Sequence, residues 1–183
     1  MVIKLTRIIS GFPGIGKSLF VKQSKKYDCL DSDSSNFSWI KDEAGNNTTK
    51  RNPDFLKNYI KHIKNNIGKK DFIFVSSHKV VRDALLQNCM FFYLIYPDED
   101  NKKLYIQRYK NRGSDDKFIE LVNNNFEKWI KECDCCVRGC KRIKMLKHNN
   151  EPDDIFMEIR HIVASENGDS LRGDKGKFYF GYP

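Results

Sequence analysis

Apolar residues in this chain collect in short runs, and the stretches between them carry apolar positions at helical spacing. The runs Leu5–Ser10, Tyr27–Leu30, Phe72–Val75, Met90–Tyr96 and Arg142–Leu146 read as five strands. Met90–Tyr96 is the most apolar of them, too short to span a bilayer and suited to the centre of a sheet. Between the second and third runs, Leu56, Tyr59, Ile60, Ile63 and Ile67 share one helical face. Asn52-Pro53-Asp54 starts that helix, with Asn as cap, Pro in the first position and an acid in the first turn. Further helices fit the residues after Lys17 and the segments 79–87, 101–111, 115–131 and 153–164. Strands alternating with helices predict an α/β fold, a five-stranded parallel sheet covered by helices on both faces. In such a sheet ligands sit at the carboxyl ends of the strands.

The loop after the first strand turns this outline into chemistry. Residues 11–18 read Gly-Phe-Pro-Gly-Ile-Gly-Lys-Ser and fit Gly-x4-Gly-Lys-Ser/Thr, the phosphate-binding P-loop pattern, in its required setting between a strand and a helix. Gly11, Gly14 and Gly16 let the backbone curl with its N–H groups around a phosphate, and the helix that follows adds partial positive charge. The whole segment, Phe12, Pro13 and Ile15 included, forms the expected cradle. Lys17 would reach the outer phosphates, and the Ser18 hydroxyl would ligate Mg2+. The other reading is a glycine turn that happens to precede a lysine.

A chain of 183 residues suits one domain, expected over 1–164, with a tail of linker composition over 165–183 that ends Phe178-Tyr179-Phe180-Gly181-Tyr182-Pro183. The chain enters its first strand almost at once and shows no leader or membrane-spanning run, so the expectation is a cytoplasmic protein with reduced cysteines and no membrane partner. The net charge of +9 points to polyanionic partners: mild support for phosphate chemistry and weaker support for nucleic acid, since the lysines are scattered over helices. Cys133, Cys135, Cys136 and Cys140 lie in one compact segment rather than in two separated pairs. Zinc is one reading of them, and a reduced connecting loop is the default.

What the loop does with a phosphate depends on the residues around it. Asn101-Lys102-Lys103-Leu104 lacks the acid that would read guanine, and Asp42-Glu43-Ala44-Gly45 follows no apolar strand, so a switch GTPase does not fit. The third strand ends in Val75-Ser76-Ser77 where motor-type ATPases place an acid. Carboxylates stand instead after the second strand, in Asp31-Ser32-Asp33. There Asp31 would hold Mg2+ and Asp33 would face an acceptor, unless the pair only caps a turn. Arg108 and Arg112 are four apart on one helical face ended by Gly113, the arrangement of a cationic lid or of a solvated arginine face. Arg51 and Arg82 are candidates for an acceptor phosphate, and each also reads as an ordinary surface arginine. Phe37 and Trp39 would stack a base or cover the core beneath their loop.

These segments carry a resemblance. The glycine loop with Asp31 and Asp33 resembles small-molecule P-loop kinases such as shikimate and gluconate kinases. The wider set GFPGIGKS, DSDSSNFSW, RNPDF, KNYI, IFVSSHKVVRDAL, FFYLIYPD and YIQRYKNRG is similar to bacteriophage-type deoxynucleoside monophosphate kinases and adenylate-kinase-like proteins, in order over most of residues 5–131. The resemblance implies a P-loop NTPase fold of nucleoside-monophosphate-kinase type. It also implies ATP with Mg2+, an acceptor-binding region near 32–68, a lid near 105–131 and, if the chain is phage-encoded, a place in the host-cell cytoplasm. The expected activity is transfer of the ATP γ-phosphoryl group to a nucleoside monophosphate. A hydroxyl acceptor, in a polynucleotide 5′-end or a small molecule, would instead need Asp33 as base. A nucleotide-dependent nucleic-acid-binding protein is the reading from another class.

Overall fold

The computed structural model describes residues 4–135, 138–146 and 155–166. In chain order the strands are β1 (Arg7–Gly11), β2 (Cys29–Asp31), β3 (Trp39–Lys41), β4 (Asn47–Arg51), β5 (Phe72–Ser76), β6 (Phe92–Pro97) and β7 (Cys140–Met145). The helices among the described residues are α1 (Lys17–Gln23), α2 (Ser35–Ser38), α3 (Phe55–Asn66), α4 (Lys79–Gln87), α5 (Lys102–Asn111), α6 (Asp116–Asp134) and α7 (Ile155–Glu166). None of them is long and apolar enough to cross a membrane.

Five strands form one parallel sheet in the order β2-β5-β1-β6-β7. The strands with continuous apolar runs lie inside it: β6 is buried along its whole length and β5 along all but its last residue. Burial of successive residues means burial of both faces, because side chains alternate, so the sheet is covered on both sides as the unbroken runs predict. On one side Phe20 of α1 meets Phe72 and Phe74, and Phe156 of α7 packs against Phe20. On the other, Phe12 lies against Tyr105, Phe126 and Trp129 of α5 and α6, with centroids 5.4–6.3 Å apart.

Several boundaries move by a residue or two from those expected, each where an edge competes with the pattern. The second strand begins at Cys29, and Tyr27 instead lays its ring edge-on against Phe72. The helix expected from Asn52 begins at Phe55, because the Asn52 side chain accepts the Asp54 N–H and makes a lead-in turn. The helix expected over 101–111 is preceded by a single tight turn, Glu99–Asn101, capped by Asp98. Gly113, at φ +72°, ends α5 as expected.

One element lay outside the sequence reading. β3 and β4 pair antiparallel, with Trp39 opposite Arg51 and Lys41 opposite Asn47. Asp42 closes the turn by accepting the Asn46 N–H, and Gly45 stands at φ +83°. The Asp-x-x-Gly sequence at 42–45 is therefore a hairpin turn. β4 is exposed except at Thr48, so no apolar alternation marks it.

Phe126 is fully buried at the centre of the ring cluster that includes Phe12. Phe126→Ala should cost about 3–5 kcal/mol of stability; a urea unfolding curve checks this, and a loss below 1 kcal/mol would mean the cluster is not the packing centre of that face.

Candidate active site

The loop 11–18 leaves the middle of the sheet. Gly11 ends β1, flanked by Ser76 of β5 and Ile95 of β6. Phe12 and Ile15 are 1% and 2% exposed, so their side chains anchor the loop in the core and leave only their backbone to a ligand. The Phe12 N–H donates to the Ile95 carbonyl at 2.9 Å. The Pro13 carbonyl accepts the Tyr109 hydroxyl of α5 at 2.6 Å. Gly14 stands at φ +76°, and a Cβ there would lie 2.6 Å from Tyr109 Cε1. Gly16, at φ +102°, takes the left-handed turn into α1.

The half-buried Lys17 folds its ammonium group back over the loop, donating to the carbonyls of Gly11 at 2.5 Å and Phe12 at 3.2 Å. Loss of hydration lowers its pKa from 10.5 to about 8, against the opposing pull of Asp31 and Asp33, and Arg112 adds to the lowering. Next to it, the Ser18 hydroxyl donates to Asp31 Oδ2 at 2.5 Å. A hydroxyl and a carboxylate that converge this closely are oxygen donors of the kind a hard divalent cation takes, so the pair fits Mg2+. Asp33 is exposed, its charge reaches Lys17, and one of its oxygens is used by the Ser35 N–H at 2.9 Å. It therefore caps a turn while its charge acts on the loop's lysine.

On the β5 side the expected residues separate. Arg51 is exposed and stacks on the Trp39 ring 4.0 Å away, so the hairpin pairs the two. Phe37 packs over Tyr59 and His62, with centroids 5.2 and 4.9 Å apart, and thus covers α3 rather than standing open as a base platform. Arg82 is only 3% exposed; it donates from Nε to the Ser77 carbonyl and from Nη1 to the Glu132 carbonyl, tying the end of β5 to α6. It serves as an internal clamp beside the site.

The sequence reading passed over His78. It follows β5 directly, at the end of the sheet where ligands collect, and that placement was the available signal. Enclosure by protein, then the charges of Lys17, Arg51 and Arg82, lower its pKa below the ordinary value, and Asp33 opposes them. The residue keeps solvent access, so the cations are the share of that shift a substitution would move.

The two lid candidates also differ. Arg112 caps α5 instead of lying within it, stacks on Tyr109 at 4.7 Å and donates to the Ser114 hydroxyl, while its charge reaches Lys17. Arg108 stacks on Tyr105 at 4.8 Å. Cys133 is buried on α6, Cys135 caps that helix, and Cys140 opens β7. Cys136 lies outside the described residues, as does the tail beyond Glu166 with its aromatic end. Among the described residues no group of three or more metal-ligating side chains forms.

No protein-family model and no curated protein matches this chain. Among solved structures, an uncharacterized protein from Eubacterium ventriosum ATCC 27560 is similar at a TM-score of 0.44 and 16% identity, over 92% of this chain and 99% of that one, a likeness that carries no argument about activity.

Proposed function

We propose that the protein is an ATP-dependent kinase of the P-loop type that passes the γ-phosphoryl group to a nucleoside monophosphate. The observation that carries this reading is the Ser18–Asp31 contact at 2.5 Å, formed beside Lys17 on a glycine loop at the centre of the sheet. A structural turn has no need to bring a hydroxyl, a carboxylate and a dehydrated ammonium group to one spot. A phosphate donor with its cation needs all three.

In this mechanism Lys17 exchanges the Gly11 and Phe12 carbonyls for the outer phosphates of the donor, and its charge offsets the negative charge that builds up there. Ser18 and Asp31 would hold Mg2+, which when bound neutralises phosphate charge. Arg112, held at the end of α5 against Tyr109 with its charge acting on Lys17, would meet the transferring group with its guanidinium. Tyr109 in turn is bonded to Pro13, so lid helix and loop are positioned together. Arg51, presented by the hairpin, supplies the acceptor side with a cation.

A monophosphate acceptor already carries an ionised oxygen at neutral pH and needs cations more than a base. Asp33 supports a second reading, since its carboxylate is exposed, its charge acts on Lys17, and it would serve a hydroxyl acceptor as general base.

ATP consumption across a panel of nucleoside monophosphates, nucleosides and 5′-hydroxyl oligonucleotides tests the proposal, with Lys17→Ala as control. Turnover should appear with one or more monophosphates and vanish in Lys17→Ala; no acceptor-dependent turnover anywhere would overturn the kinase reading. Asp33→Asn should lower kcat by less than about tenfold with a monophosphate, whereas a loss of roughly 10²–10⁴-fold would mark a hydroxyl kinase. Because the Lys17 ammonium group loses its proton near pH 8 in the free protein, ATP affinity measured calorimetrically should weaken as pH rises through about 8. Lys17→Arg, charged throughout, should flatten that profile.

A further inference from the structure

The carboxyl end of β5 holds a histidine whose surroundings are built for an anion. Ser76, the last residue of β5, contacts His78 twice: its hydroxyl accepts the His78 backbone N–H at 3.3 Å and lies 2.9 Å from Nδ1. The Tyr59 hydroxyl anchors Ser76 in turn, accepting its N–H at 3.4 Å while donating to the Ser32 carbonyl at 2.6 Å. The Ser76 hydroxyl can accept from the backbone and donate its own hydrogen to Nδ1, and in that arrangement the neutral ring carries its proton on Nε2. Nε2 has no hydrogen-bond partner among the described residues.

The ring borders a small hollow of about 40 Å³ that the glycine loop shares through Phe12 and Pro13. The charges of Lys17 from α1, Arg51 from β4, Arg82 from α4 and Asp33 from the β2 end all act on it, and Lys79 and Glu132 line the same hollow. Arg82 is committed to two carbonyls and Lys79 to Asp83 at 2.6 Å, so neither is the group that greets a ligand. Lys17 serves the donor side. That leaves His78, with the charge of Arg51 acting on its ring, as the group that offers an anion an uncommitted donor.

We infer that His78 binds the phosphate of the acceptor through Nε2, with Ser76 fixing the ring, and that it takes up a proton as a dianionic phosphate arrives. This inference rests on the kinase reading and narrows it to acceptors that already bear a phosphate. Partial burial, and after it the neighbouring cations, favour the neutral ring in the free site; the incoming dianion opposes both and favours the imidazolium form. In that form Nδ1 donates to the Ser76 hydroxyl and Nε2 donates to a phosphate oxygen. A hydroxyl acceptor without phosphate brings no such charge and leaves the ring neutral.

Two measurements on the full chain decide the matter. In the first, the His78 ring resonances are titrated with pH by NMR. The protein is saturated with Mg2+ and a non-hydrolysable ATP analogue, without acceptor and then with 5′-monophosphates or with the matching nucleosides. The His78 pKa should rise by about one unit or more with monophosphates and stay put with nucleosides. In the second, acceptor KM is followed from pH 6 to 8.5. The wild type should lose acceptor affinity as pH rises, and His78→Gln should raise acceptor KM roughly ten- to a hundredfold at pH 6.5 with ATP KM unchanged. His78→Lys, positive at every pH, should restore affinity and flatten the profile. Failure of the analogue to bind would remove the kinase reading and this inference with it. Binding and turnover with an unmoved His78 resonance, or a His78→Gln effect equal on both substrates, would overturn the inference alone.

Discussion

Phe12 leaves the end of β1 and buries its ring among Tyr105, Phe126 and Trp129, so the loop 11–18 cannot shift without opening the core between the sheet and the α5–α6 pair. Ile15 makes the same commitment three residues later, buried at 2% exposure. The loop is thereby held by apolar packing, which neither charge nor salt disturbs. The rest of the site follows from this anchoring. Gly14 is pressed so close to Tyr109 that a methyl group would collide with its ring, and the Tyr109 hydroxyl ties α5 to Pro13. Helix, loop and the Arg112 cap beyond it form one packed unit.

Charge is distributed around that unit unevenly. Lys17 is stripped of part of its hydration and finds only carbonyls to bind, while Asp31 is engaged by Ser18 and Asp33 by the Ser35 N–H. Arg51 and Arg112 stack on aromatic rings, so both guanidinium groups are held and oriented without a carboxylate partner among the described residues. Stacking leaves the edges of a guanidinium group open for hydrogen bonds, whereas a salt bridge would consume them. The carboxyl end of the sheet thus keeps several cations close together, at the cost of their mutual repulsion.

Residues outside the reach of periodicity supplied the rest of the arrangement. The β3–β4 hairpin has almost no buried side chain to announce it, yet it carries Trp39 and Arg51 to the same rim. Arg82 shows the converse: by type and place in the chain it reads as a ligand for phosphate, but burial turns it into a brace between β5 and α6. Phe37, a candidate platform for a base, finds better packing over Tyr59 and His62. In each case the side chain's chemistry was legible and its neighbours were not, because those neighbours come from distant parts of the chain.

The alternation of apolar runs with helical spacing was enough to determine an α/β fold, the parallel sheet and the place of the glycine loop between β1 and α1. Burial of both faces of a strand leaves a continuous apolar signature, and glycines at positive φ leave no substitute. Asp31 was likewise legible, because it ends a strand at the edge where ligands collect. Only the tertiary structure decided that Ser18 reaches Asp31, that Arg51 and His78 are exposed while Arg82 is buried, and that α5 is bound to the loop. Those contacts join residues 13 to 96 positions apart in the chain, and no local pattern encodes a distance closed by the packing of the whole sheet.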